Sequence, residues 1–268
     1  MGGRKICAGE NGTIIRSEYE AMVSVIIPVY NAARYLRETL DSALQQTYPH
    51  CEIILVDDCS TDNSPEIIVE YAREWPHIVF KTLKKNQGAA AARNQALALA
   101  RGRYIAFLDS DDLWYPEKLA RQIAFMQAKK VGFCCTAFEI MNERGERLKG
   151  KRAVREKINY HYLLKNTMIN TSSVLLDRTK TGNLQMPLFQ YWQDYATWLQ
   201  LLRTGLNAYG LNEVLVRYRK RPDSLSANKK KSLARFWTIQ RKSEGLHPGR
   251  IMVNACFFVV HALRKHYF

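Results

Sequence analysis

Short apolar runs alternate with segments of helical periodicity along the first half of the chain. Four runs of nearly continuous, largely β-branched apolar residues, at 23–27, 53–56, 78–80 and 104–108, are typical of strands buried on both faces. Amphipathic or alanine-rich segments lie between them, and Gly102 supplies a helix stop before the fourth run. The alternation predicts βα units and an α/β, Rossmann-like fold with a mostly parallel central sheet and helices on both faces.

The pattern becomes less regular in the second half. Residues 142–157 are expected to form a charged loop, and an apolar run at 172–177 and another at 211–218 predict strands. A helix is expected from about Asp194 to Arg203. The apolar segment Ile251–His266 predicts a surface helix near the C-terminus.

Polar segments follow three of the predicted strands: Pro28–Asn31, Asp57–Asp62 and Asp109–Asp112. In an open α/β sheet such segments meet at one edge, where ligands bind. Asp and Asn after strands also form turns and helix caps, which explains Asp57 or Asp62 equally well. Capping uses one carboxylate, whereas Asp109–Asp112 offers three, and clustered carboxylates repel one another unless a cation compensates them. The tetrad therefore predicts Mg²⁺ or Mn²⁺ shared with substrate phosphates.

From Val23 to about Asn228 the chain resembles family 2 glycosyltransferases of the GT-A fold. Four segments carry the resemblance: Val25–Asn31, Val56–Asp62, Asn86–Gly88 continuing to Ala92–Asn94, and Gly102–Asp112. Within the family it resembles bacterial enzymes of surface polysaccharide synthesis, such as O-antigen or teichuronic acid. That narrower resemblance rests on Gln193–Tyr195, Trp198–Leu199 and Tyr218–Arg219 through Ser224 and Ser226.

The resemblance implies a role for each matching position. It places the nucleotide base, usually uracil, among Pro28, Tyr30 and Asp58, and it brings Arg93 to the base or the diphosphate. Asp109 would lie near the ribose and Asp111 on the metal, with Asp109 as its companion carboxylate. The expected donor-binding residues are Pro28, Tyr30, Asp58, Asn86, Arg93, Asp109 and Ser110.

Family 2 enzymes transfer a sugar in one displacement with inversion, which needs a general base for the acceptor hydroxyl. Asp194 is the candidate, in a helix start where relatives usually carry Glu-Asp and this chain carries Gln193-Asp194. A cap at the start of the helix is the alternative role for Asp194.

The composition of the chain is strongly basic. The 268 residues carry a formal charge of +15 and are 47% hydrophobic, enough apolar material for a folded core. Ten Lys or Arg and one Asp fall within 217–242, and an apolar segment follows, which favours docking on anionic lipid. Packing of Cys256–Leu263 on the domain is the alternative. Arg217, Arg219 and Ser224 are the expected contacts for the diphosphate of a lipid-linked acceptor.

The sequence contains no apolar run long enough to cross a bilayer, no secretory leader and no cysteine spacing typical of zinc or disulfides. The expected location is therefore cytoplasmic and peripheral, on the inner face of the cytoplasmic membrane. The expected divisions are a disordered extension at 1–21, a donor-binding half at 22–141, an acceptor-binding half of the same domain at 142–228, and a basic, amphipathic helical segment at 229–268.

The expected activity is transfer of a hexosyl unit, of the Glc, Gal or GlcNAc type, from a UDP-sugar to a lipid-linked oligosaccharide. One alternative is a sugar nucleotidylyltransferase, which would need a glycine-rich loop where this chain has Pro28–Asn31. Another is a non-enzymatic protein that binds nucleic acid, which the basic charge allows. That alternative leaves the acidic tetrad unexplained, so no nucleic acid is expected as a partner.

Overall fold

The computed structural model describes residues 21–221 and 229–267. The expectation of a disordered extension therefore falls almost wholly outside the described residues, as does the expected acceptor contact Ser224.

The described residues form one mixed sheet of ten strands. In chain order they are β1 (Val23–Val29), β2 (Cys51–Asp57), β3 (Ile78–Thr82), β4 (Tyr104–Phe107), β5 (Leu113–Trp114), β6 (Phe133–Met141), β7 (Arg147–Arg152), β8 (Lys157–Ile158), β9 (Val174–Asp177) and β10 (Ala208–Arg219). Their order in the sheet is β3-β2-β1-β4-β9-β6-β10-β5, with β7 beside β6 and β8 beside β10. β1 pairs in parallel with β2 and β4, β2 with β3, and β6 with β10, whereas β9 is antiparallel to both its neighbours.

Helices cover both faces of the sheet. They are α1 (Ala33–Leu44), α2 (Ser64–Glu74), α3 (Ala89–Leu99), α4 (Lys118–Lys129), α5 (Tyr160–Leu163), α6 (Arg178–Thr181), α7 (Gln193–Arg203), α8 (Lys229–Lys242) and α9 (Pro248–Tyr267), with a 3₁₀ turn at Thr171–Ser173. One core contains buried residues of α1, α2 and α4, and the core on the other face contains those of α3, α7 and α8. The predicted α/β fold with a mostly parallel sheet is confirmed.

The expectation of a loop at 142–157 is wrong. Asn142–Glu146 turns the chain, and β7 runs back along β6, with Phe138 opposite Arg152 and Met141 opposite Arg147. Every residue of β7 is exposed except for the partly covered Arg152, so the strand has no alternating buried apolar face that the sequence pattern could reveal. Backbone pairing with a buried neighbour forms this strand.

In the part of the chain that the structure describes, no helix combines the length and apolar character needed to cross a membrane.

Candidate active site

The three predicted polar segments lie at the same edge of the sheet. β1 is the central strand of the three, and the chain leaving each strand stays hydrogen-bonded to its neighbour: the Asp58 amide donates to the Val29 carbonyl at 2.8 Å, and the Leu108 amide donates to the Ile26 carbonyl at 3.1 Å. The carboxyl ends of β1, β2 and β4 therefore present their loops to one common region, as parallel pairing requires.

The loops after β1 and β2 are fastened to each other. Asn31 adopts a left-handed backbone with φ of +48°, and its Oδ1 accepts a hydrogen bond of 2.8 Å from the Thr61 amide. Asp62 Oδ2 accepts from the Ala33 amide at 2.9 Å. Burial opposes ionisation of Asp62, but bonds from Ser64 and Ala33 outweigh it and lower its pKa. Asp62 thus serves the local structure, which is the turn-forming role weighed for it from sequence.

Asp58 holds the start of α3. Its two carboxylate oxygens accept from the Gln87 and Gly88 amides at 2.8 and 2.7 Å. Gly88 has φ of +87°, a conformation that favours glycine. Because this buried carboxylate binds both amides, it fixes the start of the helix that carries Arg93.

The other expected base-binding residues lie around this anchor with different exposure. Pro28 is buried within β1, whereas the Tyr30 side chain is 51% exposed at the first residue beyond the strand. Asn86 is exposed just before α3. Tyr30 and Asn86 are therefore the more accessible members of the set.

Arg93 projects from α3 to the acidic loop. Its Nη2 forms an ion pair with Asp109, and the guanidinium is almost completely buried. Its Nε and Nη1 are also buried, and neither has a hydrogen-bond partner in the described protein. A buried cation with two unused donors is costly by itself and is suited to a bound anion.

The acidic tetrad contains three carboxylates in different environments. Burial, with the charge of Asp109 second, raises the pKa of Asp111 to about 6, and Arg221 opposes the rise from 3.3 Å. Asp112 is fully buried, and burial raises its pKa well above the usual range. Ser110 lies between Asp109 and Asp111 and is half-buried.

The 3₁₀ turn at Thr171–Ser173 joins this loop to α7. Ser172 Oγ accepts from the Asp109 amide at 3.1 Å and donates to Asp112 Oδ2 at 2.6 Å. Next to it, Thr171 Oγ1 donates to Asp194 Oδ2 at 2.8 Å. Sequence reasoning missed both residues, since a Thr-Ser pair before a strand carries no distinctive signal.

Asp194 lies in the first turn of α7 but does not cap it. The cap position is Trp192, a left-handed residue with φ of +59°, and no side chain caps the helix there. The Asp194 carboxylate instead accepts from Thr171 and from the Tyr195 amide at 2.8 Å. The alternative role as a helix cap is therefore wrong, and the carboxylate is linked through the 3₁₀ turn to the acidic loop.

Two of the expected acceptor residues are engaged by the protein itself. The fully buried Arg219 guanidinium donates to the Asp111 carbonyl at 2.8 Å, the Glu143 carbonyl at 2.9 Å and the Glu38 carboxylate at 2.7 Å. Arg217 donates to the Gly145 carbonyl at 2.6 Å and lies 3.3 Å from Glu139. Arg219 is thus a brace for the acidic loop, and the expectation that it contacts the acceptor is wrong because none of its nitrogens remains for a ligand.

The donor set at this edge suits a hard divalent cation that is also held by a ligand. Asp109 and Asp111 are neighbouring carboxylates whose repulsion contributes to the raised pKa of Asp111. Among the described residues no cluster of three or more His, Cys, Asp or Glu side chains could enclose a metal alone. One or two carboxylates completed by phosphate oxygens are the usual arrangement for Mg²⁺.

The family model described as glycosyl transferase family 2 matches residues 24–181. Two curated proteins are similar over most of their length. A candidate teichuronic acid biosynthesis glycosyltransferase of Bacillus subtilis, TuaG, is 44% identical over 86% of this chain and 92% of its own. A protein of Escherichia coli, WfaP, named as a UDP-Glc:α-D-GlcNAc-diphosphoundecaprenol β-1,3-glucosyltransferase, is 40% identical over 92% of this chain and 96% of its own.

Solved structures share the fold at lower identity. Residues 1–349 of TarS from S. aureus, in complex with UDP, give a TM-score of 0.65 at 19% identity, covering 89% of this chain and 70% of that solved chain. The mannosyltransferase PcManGT from Pyrobaculum calidifontis, in complex with GDP-Man and Mn²⁺, gives 0.65 at 20% identity, covering 88% of this chain and 68% of its own.

Proposed function

Because the chain belongs to glycosyl transferase family 2, we propose that it is an inverting hexosyltransferase that moves a Glc, Gal or GlcNAc-type sugar from a UDP-sugar to a lipid-linked oligosaccharide acceptor. The similarity to WfaP, whose name specifies UDP-Glc and a diphosphoundecaprenol-linked acceptor, supports these two substrate classes. The product would enter bacterial cell-surface polysaccharide, the class of pathway named for TuaG.

The unsatisfied Arg93 guanidinium carries the proposal for the donor. Its paired Nη2 fixes it against Asp109, which leaves Nε and Nη1 to donate to diphosphate oxygens. The N–H groups of a guanidinium have fixed directions, so Nε and Nη1 would each donate to a separate phosphate oxygen, which an ammonium group with freely rotating donors does less specifically. The base would lie by Tyr30, with Pro28 and Asp58 as the rigid floor.

Asp109 and Asp111 would hold Mn²⁺ or Mg²⁺ together with the donor diphosphate. Such an ion, when bound, neutralises the charge that develops on the departing nucleoside diphosphate. The protein contributes the alignment: Ser172 and Arg219 hold the loop backbone, so the two carboxylates keep their separation when the donor binds.

Asp194 is the proposed general base. In a single displacement, the acceptor oxygen forms a bond to the anomeric carbon while the bond to the diphosphate breaks. The proton of the acceptor hydroxyl passes to an Asp194 carboxylate oxygen. The Thr171 bond holds that carboxylate in one orientation, which is what a positioned base requires.

A lipid-linked acceptor would require action at the cytoplasmic face of the membrane, so we place the protein there as a peripheral component. Family membership favours transfer of a sugar over transfer of a nucleotidyl group, the reaction of the alternative enzyme class. Nucleic acid is not proposed as a partner, since phosphate backbones would be repelled by the acidic loop.

The first test is calorimetric titration of UDP, GDP and TDP with and without Mn²⁺. We expect UDP to bind best and to depend on the metal, and we expect Asp111→Ala to abolish the metal dependence. Arg93→Lys should weaken UDP binding by roughly tenfold or more, because loss of a hydrogen bond to a charged group costs about 1.5–3 kcal/mol.

Arg101→Lys is the matched control for Arg93→Lys. Arg101 also pairs with a carboxylate, that of the buried Glu52, but this pair lies at the start of β2, away from the candidate site at the carboxyl end of the strand, and Arg101 is mostly exposed. It should leave UDP affinity unchanged. Failure of every nucleotide to bind would refute the donor assignment, and equal loss in both variants would refute the role of Arg93.

A further inference from the structure

Helix α9 is apolar on two faces, and over its described side chains, residues 248–261, one face packs on the protein while the other is exposed. On the inner face, Ile251 and Asn254 are buried, and the Phe258 ring stacks on Phe236 of α8 at 4.6 Å between centroids. At 100° per residue, the outer positions form a continuous stripe on the other side. The stripe consists of Met252, Val253, Cys256, Phe257, Val259 and Val260.

The size of the stripe distinguishes it from ordinary surface. Its five large side chains are between 42% and 60% exposed, and they occupy little more than two turns of one helix. Single exposed apolar residues are normal on soluble proteins, whereas a contiguous patch marks a contact surface.

The surroundings of the stripe are basic. Residues 229–268 contain nine Lys or Arg and one acid, Glu244. That carboxylate is fully buried and accepts from Tyr160 at 2.8 Å, so it does not reduce the positive charge facing solvent. Lys165 lies over the Phe257 ring with its Nζ 4.7 Å from the centroid, and the exposed Arg250 precedes Val253 by one turn.

We propose that the outer face of α9 docks on an anionic lipid bilayer, with the helix lying in the interfacial plane. Apolar side chains would enter the boundary between headgroups and acyl chains while Lys165 and Arg250 reach the lipid phosphates. A second copy of the chain is the less suitable occupant, because pairing two stripes would bring two basic surfaces together. The proposal deepens the membrane location proposed above, but lipid docking itself needs no sugar transfer.

Co-sedimentation with vesicles tests the proposal directly. We expect the protein to bind vesicles of equal parts phosphatidylglycerol and phosphatidylcholine, to bind pure phosphatidylcholine much more weakly, and to be released by salt. The variant Phe257→Glu with Val260→Glu should weaken binding to the anionic vesicles by roughly tenfold or more, because two inserted side chains are lost.

A matched control separates the stripe from net charge. The variant Phe80→Glu with Leu148→Glu lowers the net charge by the same two units as the α9 variant. It does so at two apolar residues outside α9, on β3 and β7, which are 42% and 36% exposed. This variant should keep most of the binding. Equal loss in the two variants, or absence of binding to anionic vesicles by the unaltered protein, would overturn the proposal. A dimer that the α9 variant dissociates would overturn it in favour of a second copy.

Cys256 provides a second measurement within the stripe. With Cys7, Cys51 and Cys59 replaced by serine, a polarity-sensitive fluorophore on Cys256 should shift to the blue when anionic vesicles are added. UDP titration of the same protein identifies which proposal has failed. Loss of lipid binding with intact UDP affinity would leave the transferase assignment standing, and the reverse result would leave the docking surface standing.

Discussion

Thr171 and the adjacent Ser172 couple the proposed base to the acidic loop. The Thr171 hydroxyl donates to Asp194, while the Ser172 hydroxyl bonds to the loop through Asp109 and Asp112. A shift of this turn by a fraction of an ångström would displace both halves of the site together. Thr171 is buried, and valine replaces its hydroxyl with a methyl group of similar size.

Thr171→Val should therefore lower kcat by roughly three- to tenfold, because a hydrogen bond worth about 1 kcal/mol is lost from the base. Affinity for UDP should stay within twofold, since the bonds made by Ser172 remain. Steady-state kinetics separates the two effects, and Thr171→Ser should restore kcat. A rise in donor KM without a fall in kcat would show that Thr171 supports donor binding instead.

Lys118 has an unusual environment at the start of α4. Its side chain is fully buried, Nζ has no hydrogen-bond partner among the described residues, and Nζ lies 3.8 Å from the centroid of the Trp114 ring. Burial lowers its pKa to about 7. An unfolded lysine keeps its proton to about pH 10.4, so between these values the unfolded chain binds more protons and stability rises with pH.

Lys118→Met should remove that dependence. Relative to the variant, the unaltered protein should gain stability with a slope approaching about 1.4 kcal/mol per pH unit between roughly pH 7.5 and pH 9.5. The variant should be the more stable of the two at neutral pH, since an unpaired buried ammonium is unfavourable. Urea unfolding at several pH values measures this, and parallel stability curves for the two proteins would contradict it.

At the scale of elements, the pair of C-terminal helices supports the start of α7. Trp192, in its left-handed conformation, packs against Tyr195, Phe236 and Phe258 with ring centroids 5.7, 6.4 and 5.9 Å away. A non-glycine residue pays for that backbone conformation, and the aromatic packing holds it in place. Asp194 lies two residues after Trp192, so the packing of α8 and α9 on Trp192 contributes to the position of Asp194.

Phe236→Ala should lower the free energy of unfolding by about 3 kcal/mol or more and also reduce kcat, since Trp192 loses a packing partner. Ile68→Ala is the matched control, a buried residue in the core on the other face of the sheet. It should destabilise the protein by about 2 kcal/mol or more without a comparable loss of kcat. Equal loss of kcat in both variants would indicate that any destabilisation of the fold lowers kcat, and that packing of Phe236 on Trp192 has no specific effect on Asp194.

Sequence pattern was most informative where burial is strongest. The apolar runs of β1, β2 and β4 and the polar segments after them were predicted because both faces of those strands are covered. β7 escaped prediction because its side chains are solvated and only backbone pairing defines it. The prediction that Arg219 contacts the acceptor failed for a related reason. The sequence shows a basic stretch around Arg219 but does not reveal that Glu38 and two backbone carbonyls bind its guanidinium.

At the scale of the whole molecule, the two predicted halves share one sheet. β9 comes from the second half of the chain but lies between β4 and β6 of the first half. On one face of the sheet, the Trp198 ring of α7 contacts Phe107 and Phe133 at 5.6 and 5.3 Å. Strand insertion of this kind depends on contacts distant in sequence, which local periodicity does not encode.

This insertion makes the halves inseparable. A fragment ending at Met141 would lack β9, leaving β4 and β6 without their shared neighbour and the Phe107 and Phe133 side chains uncovered. We expect such a fragment to be unfolded or aggregated, since unpaired buried edges cannot be satisfied. The full chain should unfold in one transition, with coincident midpoints by circular dichroism and tryptophan fluorescence. A folded fragment, or two separated transitions in the full chain, would mean that the donor-binding half is an independent domain despite the shared sheet.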